Sequence, residues 1–199
     1  MIIIGLTGSI GMGKSETAKM FIAAGIPVFD ADAVVHELQA KSGKAIAPIE
    51  AVFAGVIKDG VLDRAALGAI VFANKTAKKK LEAIVHPMVE EARIAFFAAA
   101  EKDGAAMVVL DQPLLFEMSG DKFCHKVVVV SAPVDIQRER VLARPGMTIE
   151  KFDHILGIQV PDADKSAAAD YIVDTDKGLE HARQQVAEIL EDIRKLCHA

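Results

Sequence analysis

The stretch Ile2–Ser15 reads IIIGLTGSIGMGKS and carries the strongest structural signal in the chain. It opens with a short β-branched run, Ile2–Leu6, which is typical of a buried strand. The turn that follows matches the pattern G-x-x-x-x-G-K-[ST] in full, from Gly8 to Ser15, and helical spacing begins at Lys14. Backbone N–H groups in such a loop wrap around a phosphate, and the N-terminus of the helix adds a favourable dipole. The stretch therefore predicts a phosphate-binding P-loop in an α/β protein.

The P-loop assigns chemistry to individual residues. Lys14 is expected to reach the β- and γ-phosphates of a nucleotide, and the Ser15 hydroxyl is expected to bind Mg²⁺. A dinucleotide-binding pattern starting at Gly11 fails because it needs glycine where Glu16 stands, and a nucleophile elbow around Ser9 fails because Thr7 is not glycine. The residues predicted to bind ATP here are Gly8, Ser9, Ile10, Gly11, Met12, Gly13, Lys14, Ser15 and Glu16.

Strand and helix patterns alternate along most of the chain, which predicts a doubly wound α/β sheet. The further strands expected from nearly continuous apolar runs are Val28–Asp30, Val108–Asp111, Val127–Ser131 and Tyr171–Val173. The helices expected between and after them are Lys14–Ala24, Pro133–Leu142 and Lys177–Leu196.

The stretch from about 33 to 104 interrupts this alternation. It is helical in pattern and too long for a simple crossover, so it predicts a helical insertion into a core of residues 1–32 and 105–199. Within it, Asp63 is expected to cap a helix Arg64–Ala73. Pro87 is expected to kink or break the long helix Thr76–Lys102.

Composition narrows the function further. The 199 residues fit one domain, and 52% hydrophobic with 26% charged residues is ordinary globular composition. A net charge of −5 with 5% aromatic residues and no Trp argues against nucleic acid as a partner. Two cysteines, no signal-peptide pattern and no apolar run of about 18 residues predict a cytoplasmic protein without membrane association. No obligate protein partner is evident.

Carboxylates follow two of the predicted strands. Asp30 and Asp32 end the second strand, where a carboxylate could orient an acceptor hydroxyl and take its proton; alternatively, either could cap the next helix. Met107–Asp111 is an apolar strand ending in Asp, a Walker-B pattern suited to Mg²⁺. The apolar loop Gln112–Glu117 that follows could line the site or simply pack in the core.

Cations cluster near the end of the helix after the fourth strand. Helical spacing predicts Gln137, Arg140 and Arg144 on one face, and the guanidinium fork suits phosphate; a solvated surface is the alternative. His86, which precedes Pro87, could contact substrate or be structural.

These motifs together resemble the dephospho-coenzyme A kinase family, in the family's order and over nearly the whole chain. Beyond the P-loop and its flanking Gly5-Leu-Thr, the most specific blocks are Asp111–Glu117 and His86-Pro87. The other matching segments are Asp30-Ala-Asp32, Leu62-Asp-Arg64, Leu81-Glu82, Gln137-x-x-Arg140-x-x-x-Arg144, Gln159, Lys165 and Ala169-Asp170.

The resemblance implies a P-loop kinase core with a five-stranded parallel sheet, a helical insertion that binds the coenzyme A moiety, and a short lid at about 144–165. The implied reaction is phosphorylation of the ribose 3′-hydroxyl of dephospho-coenzyme A by ATP, with Mg²⁺ held by Ser15 and Asp111. Asp32 is the implied base, acting with Lys14, and Arg140 and Arg144 are implied ATP contacts. The implied substrate contacts are His86, Asp111, Pro113, Leu114, Leu115 and Phe116.

The chain departs from the family pattern at two places that bear on the site. Ser9 stands where glycine is usual, which strains the loop if that position needs a positive φ. Ile155 and Ile158 occupy the stretch before Gln159 where an arginine is usual.

Three other functions remain open from the residues alone. The first is another P-loop kinase acting on a nucleotide or a small alcohol, and the second is a nucleotide switch or ATPase. A GTPase would need Asn-Lys-x-Asp, and Asn74-Lys75 is followed by Thr76-Ala77. The third is a catalytically inactive P-loop protein, which the intact Lys14 and Asp111 disfavour.

Overall fold

The computed structural model describes residues 1–197 and the side chains of residues 1–196. The strands of this part are β1 (Ile2–Thr7), β2 (Val28–Asp30), β3 (Ile57–Lys58), β4 (Val61–Leu62), β5 (Met107–Asp111), β6 (Lys126–Ser131) and β7 (Tyr171–Asp174). Its α-helices are α1 (Lys14–Ala23), α2 (Ala31–Leu38), α3 (Ile46–Val52), α4 (Arg64–Ala73), α5 (Lys75–Lys102), α6 (Val134–Leu142), α7 (Ile149–Ile158), α8 (Asp162–Ala168) and α9 (Leu179–Cys197).

The chain divides into two compact units. One joins residues 1–29 to the chain from residue 100 onward, and the other covers residues 30–99. The sequence predicted an insertion at about 33–104. Within residues 1–197, no helix is both long and apolar enough to cross a membrane.

The first unit is built on a five-stranded sheet with the order β2-β5-β1-β6-β7. The central strand β1 runs parallel to β5 on one side and to β6 on the other, and β6 runs parallel to β7. Helices cover both faces of such a sheet, which explains why its strands are apolar on both faces. Ile4, Val109 and Val128 are completely buried in it. The predicted fold class, a five-stranded parallel α/β sheet, is confirmed.

Two helices, α1 and α9, close the core beside β1. Helix α9 is amphipathic: Ala182, Val186, Ile189, Leu190 and Ile193 repeat at helical spacing, and all are buried in one cluster with the sheet. Each large apolar side chain buried in this way contributes about 1.5–3 kcal/mol. This packing holds the carboxyl end of β1, where the phosphate-binding loop begins.

The second unit has its own apolar core. Helices α2, α3, α4 and α5 and the antiparallel pair β3–β4 contribute to it, with Ile49 completely buried at its centre. The predicted cap at Asp63 is confirmed: its Oδ1 accepts the Ala66 N–H at 3.0 Å. Lys58 Nζ lies 2.8 Å from Asp63 Oδ2, and this hydrogen bond holds the pKa of the Asp63 carboxyl below its usual range.

The sequence predicted that Pro87 would kink or break α5; the helix is not broken there, and the kink stays a prediction. The helix is continuous from Lys75 to Lys102 with Pro87 inside it. A proline removes one backbone hydrogen bond from a helix. Ile84 and Met88, which lie close to Pro87 on α5, pack against the core of the second unit. Tertiary packing therefore outweighs the local cost.

Asp170 joins the end of α8 to β6. Its Oδ2 accepts the Val127 N–H at 2.8 Å, and its Oδ1 pairs with Lys126 Nζ at 2.8 Å. Burial alone would raise the pKa of the Asp170 carboxyl, but the hydrogen bonds from Lys126 and Val127 bring it below its usual range. A depressed carboxyl pKa stabilises the fold above the pKa of the unfolded chain, and that contribution is lost as pH falls through the folded pKa.

We therefore expect Asp170→Asn to lower the free energy of unfolding at pH 7, by less than about 1 kcal/mol because the pair is partly exposed. The difference from wild type, measured at pH 7 and again at a pH below the folded pKa of Asp170, should shrink, because the wild-type carboxyl is then uncharged as well. Urea unfolding at both pH values measures it, with exposed Asp103→Asn as the control. A difference that stays constant with pH would contradict the assignment.

Candidate active site

The P-loop connects the end of β1 at Thr7 to the start of α1 at Lys14. Gly11 has φ +81° and Gly13 has φ +100°, a region that side chains rarely adopt. Within the described residues, the non-glycine positions with positive φ are Ser42, Asp59 and Ser119. Ser9 is not among them, so it does not strain the loop.

The loop lies tightly against its neighbours. A Cβ on Gly8 would approach the Val130 carbonyl oxygen to 2.6 Å, and a Cβ on Gly11 would approach Val141 Cγ2 to 2.4 Å. Strand β6 and helix α6 therefore leave room for glycine alone at these positions.

Three side chains from other elements contact the backbone of the loop. Gln137 Nε2 donates to the Ile10 carbonyl at 2.7 Å, and Gln159 Oε1 accepts the Ile10 N–H at 3.1 Å. Thr175 Oγ1 donates to the Met12 carbonyl at 2.7 Å. The contact from Thr175 is one that the sequence analysis missed, because a threonine just after a strand carries no local signal.

Lys14 and Asp111 form an ion pair, with Nζ 2.5 Å from Oδ1. The Asp111 side chain is only 4% exposed, so the carboxylate depends on a cationic partner. The parallel register of β1 and β5 pairs Leu6 with Asp111 and so brings the two motifs to the same end of the sheet.

The oxygen donors here fit Mg²⁺. The Ser15 hydroxyl and the Asp111 carboxylate are the hard oxygen ligands that this ion prefers. Across residues 1–197, no cluster of three or more His, Cys, Asp or Glu could hold a metal by itself.

The predicted cationic face is only partly present. Gln137 is buried and turned to Ile10, whereas Arg144 lies beyond the end of α6 and is exposed, so its place on the same face stays a prediction. Arg140 donates to Thr175 Oγ1 at 2.8 Å and to the Thr175 carbonyl at 2.7 Å. Arg140 is therefore connected through Thr175 to the P-loop, and contacts of Arg140 and Arg144 with ATP stay predictions.

The loop after β5 is tied to the end of β1. The Gln112 N–H donates to the Leu6 carbonyl at 3.0 Å, and Thr7 Oγ1 donates to the Pro113 carbonyl at 3.0 Å. Leu115 is completely buried, as local core packing requires. The neighbouring apolar side chains of this loop are partly buried: Pro113, Leu114 and Phe116.

The carboxylates after β2 have different environments within the unit 30–99. Asp30 is the N-cap of α2, and its Oδ1 accepts the Ala33 N–H at 2.9 Å. Asp32 lies in the first turn of that helix and is exposed. Of the two carboxylates, it is therefore Asp30 that caps the following helix, as the sequence analysis allowed for either. His86 is exposed on α5.

Gly11→Ala tests how closely the loop packs. Positive φ alone costs an alanine about 1 kcal/mol, and the clash with buried Val141 adds about 1–3 kcal/mol. Gly178→Ala is the matched control, since Gly178 has φ +90° with nothing within 4 Å of its added Cβ. Chemical unfolding should show Gly11→Ala to be clearly the less stable variant. Equal stabilities would contradict the packing described.

Comparison with known proteins places the chain among kinases. The family model for dephospho-CoA kinase matches residues 2–181. Dephospho-CoA kinase of Mesorhizobium japonicum is 54% identical over 194 residues, which cover 98% of each chain. A crystal structure of a Thermus thermophilus protein has 31% identity and a TM-score of 0.85 over 96% of both chains. A solved structure of dephospho-CoA kinase from Campylobacter jejuni has 25% identity and a TM-score of 0.65, again over 96% of both chains. The chain belongs to the dephospho-CoA kinase family.

Proposed function

We propose that the protein transfers the γ-phosphoryl group of ATP to the ribose 3′-hydroxyl of dephospho-coenzyme A. The products are ADP and coenzyme A, and the step is the last of coenzyme A synthesis. The observation that carries the proposal is the complete P-loop with Lys14 beside Asp111, in a chain of this family. We place the enzyme in the cytoplasm, with these small molecules as its partners.

The nucleotide phosphates bind along the P-loop backbone and the N-terminus of α1, where N–H groups and the helix dipole favour an anion. Lys14 then exchanges Asp111 for the β- and γ-phosphate oxygens. Bound Mg²⁺, held by Ser15 and Asp111 directly or through water, would neutralise charge on the phosphates. Arg140 and Arg144 supply further positive charge on the ATP side.

Asp32 is the proposed base. It accepts the proton of the 3′-hydroxyl as that oxygen forms its bond to the γ-phosphorus, and ADP departs with the electrons of the broken P–O bond. Asp30 is unsuited to this work because its carboxylate already caps α2. Asp32 is exposed, so its oxygens are accessible to an acceptor.

The assignment of residues that bind the acceptor is based on the family resemblance. We assign binding of the coenzyme A moiety to the helical unit 30–99, with His86 among its contacts. The side chains assigned to substrate in the loop after β5 are Asp111, Pro113, Leu114, Leu115 and Phe116. A lid in the region 144–165 excludes water from the γ-phosphate while transfer takes place.

Product analysis tests the reaction. With ATP and Mg²⁺, dephospho-coenzyme A should gain one phosphoryl group, which mass spectrometry detects and fragmentation locates on the 3′-oxygen. Adenylate and shikimate serve as comparison acceptors. Absence of coenzyme A alongside rapid turnover of either would overturn the proposal in favour of another P-loop kinase activity.

Asp32→Asn tests the base. A positioned general base contributes about 10²–10⁴-fold, so kcat should fall by that factor while ATP still binds. Asp30→Asn is the matched control, because asparagine caps a helix as well as aspartate does and should keep near-normal kcat and stability. Steady-state kinetics and calorimetry measure both. A folded Asp30→Asn enzyme without activity, beside an active Asp32→Asn enzyme, would reverse the assignment.

A further inference from the structure

Both backbone polar groups of one P-loop residue are held by glutamine side chains. The Ile10 carbonyl accepts from Gln137 Nε2 at 2.7 Å, and the Ile10 N–H donates to Gln159 Oε1 at 3.1 Å. Gln137 comes from α6 and is 3% exposed. Gln159 ends α7 as its C-cap residue, so it belongs to the segment in which a lid is expected.

These two hydrogen bonds hold the P-loop in shape, which the loop's own backbone groups can do only to a small extent. A phosphate-binding loop must point its own N–H groups towards the ligand, so few of them are available to hold the loop in shape. Gly11, the residue after Ile10, has φ +81° and gains no rigidity from a side chain. The two glutamines therefore fix the loop immediately before Gly11.

Gln159 is itself held in place from the other side. The N–H of the next residue, Val160, donates to Glu117 Oε1 at 2.8 Å. The same Glu117 oxygen lies 3.0 Å from Nζ of Lys165, whose side chain is completely buried. At the start of α8, Asp162 Oδ2 accepts from Ser131 Oγ of β6 at 2.6 Å. The chain from Gln159 to Lys165 is thus bound to the core of the first unit.

We propose that Gln159 is a positioning residue that keeps the P-loop in its phosphate-binding shape, and that the Glu117–Lys165 pair keeps Gln159 in position. The movable part of the lid is then residues 144–158, and the chain from Gln159 onward is its fixed attachment. The inference rests on the proposed function only in taking the P-loop as the ATP site.

Binding of ADP tests the first part without any acceptor, so its result does not depend on which acceptor the enzyme uses. Gln159→Leu removes the oxygen that accepts the Ile10 N–H. If the loop then spends about nine-tenths of its time in other shapes, the Kd for ADP measured by calorimetry rises about tenfold. In turnover, KM for ATP should rise by a similar factor, with kcat at saturating ATP within about threefold of wild type.

The control is Gln184→Leu, the same chemical change on the exposed side of α9, which should leave the Kd for ADP unchanged. Gln137→Leu and the double variant Gln137→Leu/Gln159→Leu complete a double-mutant cycle for the Kd of ADP. Because both glutamines hold Ile10, the double variant should raise Kd by less than the product of the single effects. If Gln159→Leu fails to fold, Gln159→Asn, whose shorter side chain cannot span the distance, gives the same readout.

A Kd within twofold of wild type for a folded Gln159→Leu or Gln159→Asn protein overturns the positioning role, as does a double variant whose effect equals the product. Wild-type protein that binds ADP but does not phosphorylate dephospho-coenzyme A would instead overturn the proposed function and leave this inference standing.

Hydrogen exchange tests the second part on the whole enzyme. Amides of residues 145–158 should exchange more slowly once ADP and dephospho-coenzyme A are both bound, whereas those of residues 160–168 should be equally protected with and without ligands. In Glu117→Gln/Lys165→Met, which removes the ion pair and keeps an oxygen near Val160, protection of 160–168 should fall and the Kd for ADP should rise. Equal slowing across 145–168 in the wild type would overturn the fixed attachment.

Discussion

The contact between Lys14 and Asp111 ties the nucleotide-binding loop to the sheet. A carboxylate as buried as that of Asp111 is costly unless a cation accompanies it, and the ammonium of Lys14 lies 2.5 Å away. The pair joins the carboxyl ends of β1 and β5, which the parallel register places side by side. In the proposed reaction Lys14 moves to the phosphates, and Asp111 would then help to hold Mg²⁺. In the proposed mechanism the buried carboxylate therefore has a positive partner both with and without nucleotide. In the nucleotide-free protein, the Lys14–Asp111 contact offsets the cost of burying that charge.

The conformation of the P-loop is held by contacts from elements outside the loop. Gly8 and Gly11 allow close approach to β6 and α6, while Thr175 and two glutamines bind the loop's backbone. Arg140 binds Thr175 through both its hydroxyl and its carbonyl, so a residue expected to contact phosphate also stabilises the residue that supports Met12. A change at Arg140 would then act on ATP binding by two routes, through lost charge and through a looser loop.

Local patterns were enough to predict the sheet, the P-loop and the Asp63 cap, because each depends on neighbours in sequence. They were not enough where distant packing decides the outcome. Pro87 stays within α5 because the flanking side chains pack on the core of the second unit, and α6 ends at Leu142, before it reaches Arg144. The choice between Asp30 and Asp32 as a cap needed the hydrogen bond to Ala33. Nothing in sequence spacing indicated that Lys165 would be buried beside Glu117, 48 positions earlier in the chain (165 − 117).

That buried lysine limits how the proposed lid can move. Separating Lys165 from Glu117 would leave a charge without its partner in the interior, at a cost of about 3–5 kcal/mol, comparable with much of the stability of a small domain. In the proposed lid, closure would therefore take place on the α7 side, where most side chains apart from Phe152 are at least partly exposed. Ile158, which stands in the stretch where the family usually has an arginine, is 59% exposed. Arg144 and Lys151 are exposed as well. In the proposed lid, a cation brought to the phosphates would then come from the part near Arg144, because Lys165 at the other end is buried beside Glu117.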